Sequence, residues 1–87
     1  MSRKDDPEKM AQMDRWLKAV CEELGLDNSV MAEYQMHMLD LIGQIAHGPS
    51  RPGAPLTAYL IGVAATAQNA DAHELIDRVS ALADKFE

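Results

Sequence analysis

The sequence predicts an all-α fold, a small four-helix bundle, and three observations lead to this prediction. Apolar residues recur at three- and four-residue steps along most of the chain, which is the spacing of amphipathic helices. The sequence holds no alternating apolar and polar run long enough for a β-strand. Glycine, proline and N-cap residues divide the pattern into segments of helical length. We therefore expect helices over residues 6–24, 28–46, 55–68 and 70–86, packed as a bundle.

The first helix is bounded by clear terminal residues. Asp6 is a good N-cap before Pro7 at the first helical position, and Gly25 ends the segment. Its apolar stripe consists of Met10, Met13, Leu17, Val20, Cys21 and Leu24. Trp16 lies beside this stripe, and we expect its ring to be buried at the edge of the core, with an exposed binding contact as the alternative.

The second helix follows a short polar turn. Asp27 or Asn28 is its N-cap, Ser29 forms part of the cap, and Gly48 and Pro49 end the helix. Its predicted buried stripe consists of Val30, Tyr34, His37 or Met38, Leu41, Ile42 and Ile45.

The last two helices differ in the charge they carry. The third, from Pro55 to about Gln68, has almost no charge on any face, so we expect it to be central or covered in part by a partner. Its predicted inward residues are Leu56, Tyr59, Leu60, Val63, Ala64 and Ala67. The fourth begins at Asn69 or Asp71, and its stripe consists of Ala72, Leu75, Val79, Leu82 and Phe86.

Length and composition limit the classes of function. The 87 residues form one domain, expected over residues 6–87 behind a mobile polar tail of residues 1–5, and leave no room for a second lobe around a deep cleft. We therefore expect a protein that is not an enzyme and needs no cofactor. A formal charge of -6 opposes binding to nucleic acid. The longest apolar stretch is too short to span a membrane, and the lone cysteine and the polar N-terminus indicate a cytoplasmic protein.

The titratable residues show no catalytic or metal-binding pattern. Cys21 lies on an apolar stripe, where a cysteine is usually a small buried side chain. His37 and Asp40 are one helical turn apart, but a stable zinc site needs three or four ligands with recognisable spacing. His73 falls in the first turn of the last helix, which suggests an exposed side chain. We predict no catalytic residue and no metal ligand.

The long loop between the second and third helices is the candidate site. It is rich in proline and glycine, and it precedes a helix start whose N–H groups, from Leu56 and Thr57 onwards, suit an anion or a carboxylate. The candidate residues for binding a partner or an anion are Asp40, His47, Arg51, Pro52, Pro55 and Thr57. In the structural alternative, Arg51 pairs with Asp40 or caps the carbonyls that end the second helix.

A resemblance is carried by this same region. The segment from Asp40 to Gly48 (DLIGQIAHG), followed by Arg51 to Gly62 (RPGAPLTAYLIG), resembles a small domain of unknown function of high-GC Gram-positive bacteria. The motifs MDRWL and VCEELGL near the N-terminus are similar to the first helix of that family, and the resemblance extends from Met13 to about Leu82. Members occur free-standing or attached to MobA-type nucleotidyltransferases. The resemblance implies a helper in molybdenum cofactor maturation or insertion.

Three functions are compatible with these patterns. The first is a non-enzymatic accessory module whose loop docks onto a larger protein, which the resemblance implies is a molybdenum cofactor enzyme or nucleotidyltransferase. The second is a small module that binds an anion or a nucleotide with loop residues 47–57. The third is a structural homodimer formed through the uncharged third helix.

Overall fold

The computed structural model describes residues 7–86, and all regular structure within this range is helical, which confirms the all-α prediction. The helices are α1 (Pro7–Leu24), α2 (Ser29–Ala32), α3 (Gln35–Ala46), α4 (Gly53–Ala67) and α5 (Ala72–Lys85). The predicted tail, residues 1–5, and the predicted N-cap Asp6 lie outside the described residues. The chain divides after Glu33 into two compact units, so that α1 and α2 belong to the first and α3 to α5 to the second.

Helix α1 ends as its sequence predicts. Gly25 adopts the left-handed conformation (φ 74°), Leu26 N–H donates to the Cys21 carbonyl, and Gly25 N–H donates to the Glu22 carbonyl. These two bonds form a Schellman motif. Cys21 is buried as expected, whereas Trp16 is 66% exposed. The expectation of a buried Trp16 is therefore wrong, since burial along α1 is confined to the face that carries Cys21.

The predicted helix over residues 28–46 is two helices. Helix α2 is a single turn. At its start Val30 N–H donates to the carbonyl three residues earlier, that of Asp27, which is the hydrogen bond of a tight turn. Helix α3 starts separately, with Met38 N–H donating to the Tyr34 carbonyl. Residues 33–34 separate the two helices. The ring of Tyr34, at this break, packs against the ring of His73 at a centroid distance of 4.5 Å. A four-helix count therefore missed this break.

The second unit is a three-helix core. Its buried apolar residues are Leu41, Ile45, Ala54, Ile61, Leu75 and Ile76. Side-chain bonds join His37 to His73, and Gln44 to Ser80, both with a separation of 36 residues. Because the separation is constant, α3 and α5 run parallel and in register. Helix α4 returns antiparallel to both, from the end of α3 to the start of α5.

Helix α4 buries a different face from the predicted one. Its buried residues are Ala54 and Ile61. The side chains of Leu56, Tyr59, Leu60 and Val63, all predicted to point inward, are exposed. Helices α3 and α5 supply leucine and isoleucine to the core, and α4 adds Ile61 together with the small side chains of Ala54, Ala64 and Ala65, which allow close packing.

Helix α5 begins at its predicted N-cap. The Asp71 carboxylate accepts a hydrogen bond from His73 N–H at 3.1 Å. The preceding Asn69 adopts a left-handed conformation (φ 51°) and, with Ala70 N–H donating to the Ala65 carbonyl, terminates α4. At the other end of α5, Leu82 and Phe86 are exposed, contrary to the predicted stripe, and line a hollow beside the α3–α4 loop.

Candidate functional site

The first residues of the loop predicted as the site form hydrogen bonds with the last carbonyl groups of helix α3. His47 Nδ1–H donates to the Gly43 carbonyl at 2.9 Å, and Ser50 N–H donates to the Ile45 carbonyl at 3.1 Å. A Cβ at Gly48 would lie 2.9 Å from the backbone oxygen of Gln44, so this position requires glycine. His47 therefore acts in the fold as a cap of α3.

The remaining loop residues close the start of helix α4, which begins two residues earlier than predicted. Ser50 Oγ accepts from Gly53 N–H at 3.1 Å, and the Arg51 carbonyl accepts from Ala54 N–H at 3.2 Å. Pro52 and Pro55 have no N–H group. Thr57 Oγ1 donates to the Gly53 carbonyl at 2.8 Å, so its hydroxyl bonds within the helix.

Two consequences follow for the predicted anion site. Leu56, expected at the helix start, is the fourth residue of α4. The N–H groups of the two residues before Pro55 already have acceptors, so the helix terminus offers an anion few donors. Arg51 is exposed, and the hydrogen bond that it makes within residues 7–86 uses its backbone carbonyl. The alternative in which Arg51 pairs with Asp40 is therefore not the arrangement observed, and the proposed binding role of the six candidate residues stays a prediction.

An apolar surface on α4 adjoins the loop. We define the α4 face as Leu56, Tyr59, Leu60 and Val63, whose exposed fractions range from 46% to 69%. No residue of α4 carries a charge. Four large apolar side chains grouped on one exposed helix differ from the single exposed apolar residues that are normal on a soluble surface.

Grooves flank the α4 face on both sides. On one side, Tyr59 and Val63 border a shallow groove whose floor is formed by small residues, Ala58, Gly62 and Thr66. On the other, Leu60 borders a hollow shared with Arg78 and Leu82 of α5. The apolar surface thus extends from the loop across α4 to α5.

Gly62 is a notable residue in the groove floor. A Cβ at this position would meet no atom within 4 Å, and the residue does not adopt a left-handed conformation. A glycine inside a helix costs about 1 kcal/mol relative to alanine. The packing of this chain alone therefore does not account for a glycine here, whereas the open groove would admit a closely approaching backbone.

A polar cluster that no sequence pattern predicts joins α3 to α5. His37 Nδ1 lies 2.7 Å from His73 Nδ1, and His37 Nε2 lies 2.9 Å from Asp77 Oδ1. The two imidazole rings are stacked with their centroids 4.9 Å apart, and the ring of Tyr34 packs on the ring of His73. The expectation of an exposed His73 is wrong, because its ring is half-buried. No local signal indicates a pair separated by 36 residues.

A family model described as a domain of unknown function, DUF6457, matches residues 8–87. The chain belongs to the DUF6457 family. The expected membership of a family of unknown function is thereby confirmed, over nearly the whole chain. No curated protein and no solved structure matches the sequence.

The polar cluster of this DUF6457 chain is built for hydrogen bonding. The described residues contain no group of three or more histidine, cysteine or carboxylate side chains able to hold a metal ion. Two imidazole nitrogens bound to one zinc ion would lie about 3.3 Å apart, given zinc–nitrogen distances of about 2.0 Å. The observed 2.7 Å is the distance of a direct hydrogen bond.

Among the described helices, none is long and apolar enough to cross a membrane.

Proposed function

We propose that this DUF6457 chain is a non-enzymatic interaction module of the cytoplasm that docks onto a larger protein through the α4 face. The observation that carries the proposal is the exposure of four large apolar side chains on a helix without a charged residue. Burying such a group against a partner releases about 25 cal/mol for each Å² of apolar area removed from water, before the entropic cost of association.

Charge favours a particular kind of partner surface. The chain carries a formal charge of -6, but α4 contributes none of it. A complementary partner would present an apolar centre to α4 and basic side chains around it, because a basic rim would be attracted by the acidic remainder of the chain. A second copy of this acidic chain lacks that electrostatic attraction.

The resemblance of residues 40–62 supports one partner class. Relatives attached to MobA-type nucleotidyltransferases point to a molybdenum cofactor nucleotidyltransferase, or to a molybdenum enzyme that matures with its help. In this proposal the domain contributes contact surface or delivery, and the partner contributes the chemistry.

The loop has a supporting role in the proposal. Arg51 is exposed in the loop that precedes α4 and is suited to pair with a partner carboxylate. His47 bonds to the end of α3 and Thr57 bonds within the first turns of α4. Pro52 stiffens the backbone just before α4, and Pro55 stiffens its first turn. Asp40 is proposed to orient the loop.

The anion- or nucleotide-binding alternative has less support from the geometry, because prolines and capping bonds leave few donors at the start of α4. The homodimer alternative is favoured by one observation, the open groove over Gly62. A helix of a second copy would be able to approach closely there.

Calorimetric titration with the purified molybdenum cofactor nucleotidyltransferase of the same host tests the proposal. We expect saturable binding that Leu60→Ser weakens at least about tenfold, equivalent to about 1.4 kcal/mol. Val30→Ser, at an exposed apolar position on α2, is the matched control and should bind like the wild type. Arg51→Ala should weaken binding while the helical circular dichroism is unchanged.

Other outcomes separate the alternatives. If neither the nucleotidyltransferase nor a molybdenum enzyme of the host binds, the partner assignment is wrong. If sedimentation equilibrium then shows a dimer that Leu60→Ser dissociates, the α4 face serves self-association. If Leu60→Ser and Val30→Ser bind the partner equally well, the α4 face is not the docking surface. Saturable binding of a guanine nucleotide that Arg51→Ala abolishes would favour the nucleotide module.

A further inference from the structure

We infer that the trough between α4 and α5 receives one amphipathic helix of the partner, about three turns long, which places a carboxylate beside Arg78. We define the α4–α5 trough by the apolar residues Leu60, Ile61, Leu75, Val79, Leu82 and Phe86. This role rests on the proposed function, since it specifies which side of the α4 face meets the partner and what the partner presents there.

Two hollows of the second unit join to form the trough. One is shared by Leu60 and Arg78, and the other lies beside the α3–α4 loop and reaches Phe86. The residues that line both hollows are Thr57, Val79 and Leu82. From Leu75 to Phe86 the trough is about 16 Å long, at about 1.5 Å per helical residue. It therefore has the length of about three helical turns.

The trough has a buried floor and exposed apolar walls. Ile61 and Leu75 belong to the core and are 3% and 6% exposed. Leu60, Leu82 and Phe86 are 63%, 59% and 62% exposed. An occupant that covers these three side chains removes a continuous apolar surface from water, which favours association.

The composition of the walls favours a helix as the occupant. The backbone groups along α4 and α5 bond within their own helices, so the trough offers an extended strand few backbone partners. A helix satisfies its own backbone groups and presents apolar side chains at three- and four-residue steps. One apolar helix face therefore suits the trough.

Arg78 supplies the charge that the partner helix matches. It is the one charged residue among those of residues 7–86 that line the trough. Glu74 precedes it by one helical turn, the spacing of a favourable ion pair, yet within the described part of the chain Arg78 pairs neither with Glu74 nor with another carboxylate. The guanidinium is thus available to a carboxylate of the partner, and docking strengthens such a pair by excluding water around it.

This local requirement refines the charge expected of the partner. The formal charge of -6 attracts basic side chains to the chain as a whole, whereas Arg78 attracts an acidic side chain at one point of the trough. The partner helix therefore has an apolar face with a carboxylate at its edge and basic residues on its outer positions. The single carboxylate also sets the register in which the helix lies.

Selection of helical peptides on the intact chain tests this role. The probe is a library of displayed peptides of about 14 residues, with leucine fixed at three- and four-residue steps and the other positions randomised. We expect binders in which Asp or Glu recurs at one position beside the leucine stripe. In a synthesised binder, exchange of that residue for glutamine should weaken binding at least about threefold, and Arg78→Gln should do the same. The two changes together should weaken binding no further, because each already removes the same pair.

Arg15→Gln is the matched control, because it removes the charge of an exposed arginine on α1 that does not line the trough. It should bind the peptides like the wild type. Arg78 is exposed, so Arg78→Gln should leave the circular dichroism unchanged. Four results would each overturn the trough assignment: no peptide binds the wild type, the binders show no acidic preference, Arg78→Gln binds them as the wild type does, or sedimentation shows a dimer that Leu82→Ser dissociates.

Titration with the molybdenum cofactor nucleotidyltransferase separates this role from the proposed function. Leu82 lines the trough but lies outside the α4 face, whereas Tyr59 belongs to the α4 face and borders the groove on its other side. We expect Leu82→Ser to weaken binding at least about tenfold and Tyr59→Ser less than about threefold.

The two failures are distinguishable. If Leu60→Ser and Tyr59→Ser weaken binding of the nucleotidyltransferase and Leu82→Ser does not, the α4 face docks the partner and the trough assignment is wrong. If the nucleotidyltransferase does not bind while acidic peptides bind through Arg78, the trough assignment holds and the proposed partner is wrong.

Discussion

His37 and His73 are separated by 36 residues in the chain, and their Nδ1 atoms are 2.7 Å apart in the fold. The same separation joins Gln44 to Ser80 two helical turns later. These two contacts establish that α3 and α5 run parallel and in register. They also leave α4, the returning helix, with one face against the core and the other toward solvent.

The neighbours Leu60 and Ile61 test the orientation of α4. Leu60 is 63% exposed and Ile61 is 3% exposed. Ile61→Ala should lower the free energy of unfolding by about 2–4 kcal/mol, because it removes buried methyl groups and leaves a cavity. Leu60→Ala should change it by less than about 0.5 kcal/mol. Urea denaturation followed by circular dichroism measures both, and equal losses would mean that another face of α4 is buried.

Substitution of Gly62 separates folding from docking. Gly62→Ala should raise the free energy of unfolding by about 1 kcal/mol, because alanine is the better helix former and its Cβ meets no neighbour. If a partner helix occupies the groove, the same substitution should weaken binding. Gly48→Ala is the comparison, since its Cβ would press on the Gln44 carbonyl and lower stability. A destabilised Gly62→Ala would contradict the open groove.

The Gln44–Ser80 contact should behave as a coupled pair. Gln44→Ala and Ser80→Ala should each lower the free energy of unfolding by about 1 kcal/mol, the net value of a typical hydrogen bond. The double variant should lose less than the sum, because each single change already breaks the shared bond. A double-mutant cycle by chemical denaturation measures the coupling, and strict additivity would show that the two side chains do not interact.

We expect the stability of the turn that starts helix α2 to depend on pH through the Asp27 carboxylate. The backbone N–H of Ser29 donates to the Asp27 carboxylate at 2.9 Å and lowers the pKa of that carboxyl group below its ordinary value. A lowered pKa means that the stabilisation is present above the pKa of the unfolded chain and is lost as the pH falls through the folded value. The Ser29 amide resonance should report this transition in an NMR titration. In Asp27→Asn the acid-dependent shift should disappear.

Helix ends were predictable where a few consecutive residues supply all of the bonds. The left-handed Gly25 and the N-cap Asp71 were both identified from sequence, and each bonds only to groups within five residues. The start of α4 was placed two residues late. Pro55 looked like a first helical residue, but Ser50 caps the helix from further back and lets it begin at Gly53.

The candidate surface was predicted only in part. The loop around Arg51 and the uncharged helix that follows it were both candidate surfaces from the sequence, and other residues of the loop share a hollow with the first turns of α4. The sequence pattern assigned Leu56 and Tyr59 to the core, although both are exposed. A helix without charged residues has no polar stripe to mark its solvent-facing side. The spacing of its apolar residues therefore does not indicate which face is buried.

The sequence by itself determined that the described chain is helical, and it located several of the helix ends, because apolar spacing and capping bonds act within one or two turns. Only the tertiary structure decided which face of α4 is buried, where the second predicted helix breaks, and that His37 meets His73. Those features depend on which side chains neighbouring helices supply and on contacts between residues far apart in the chain.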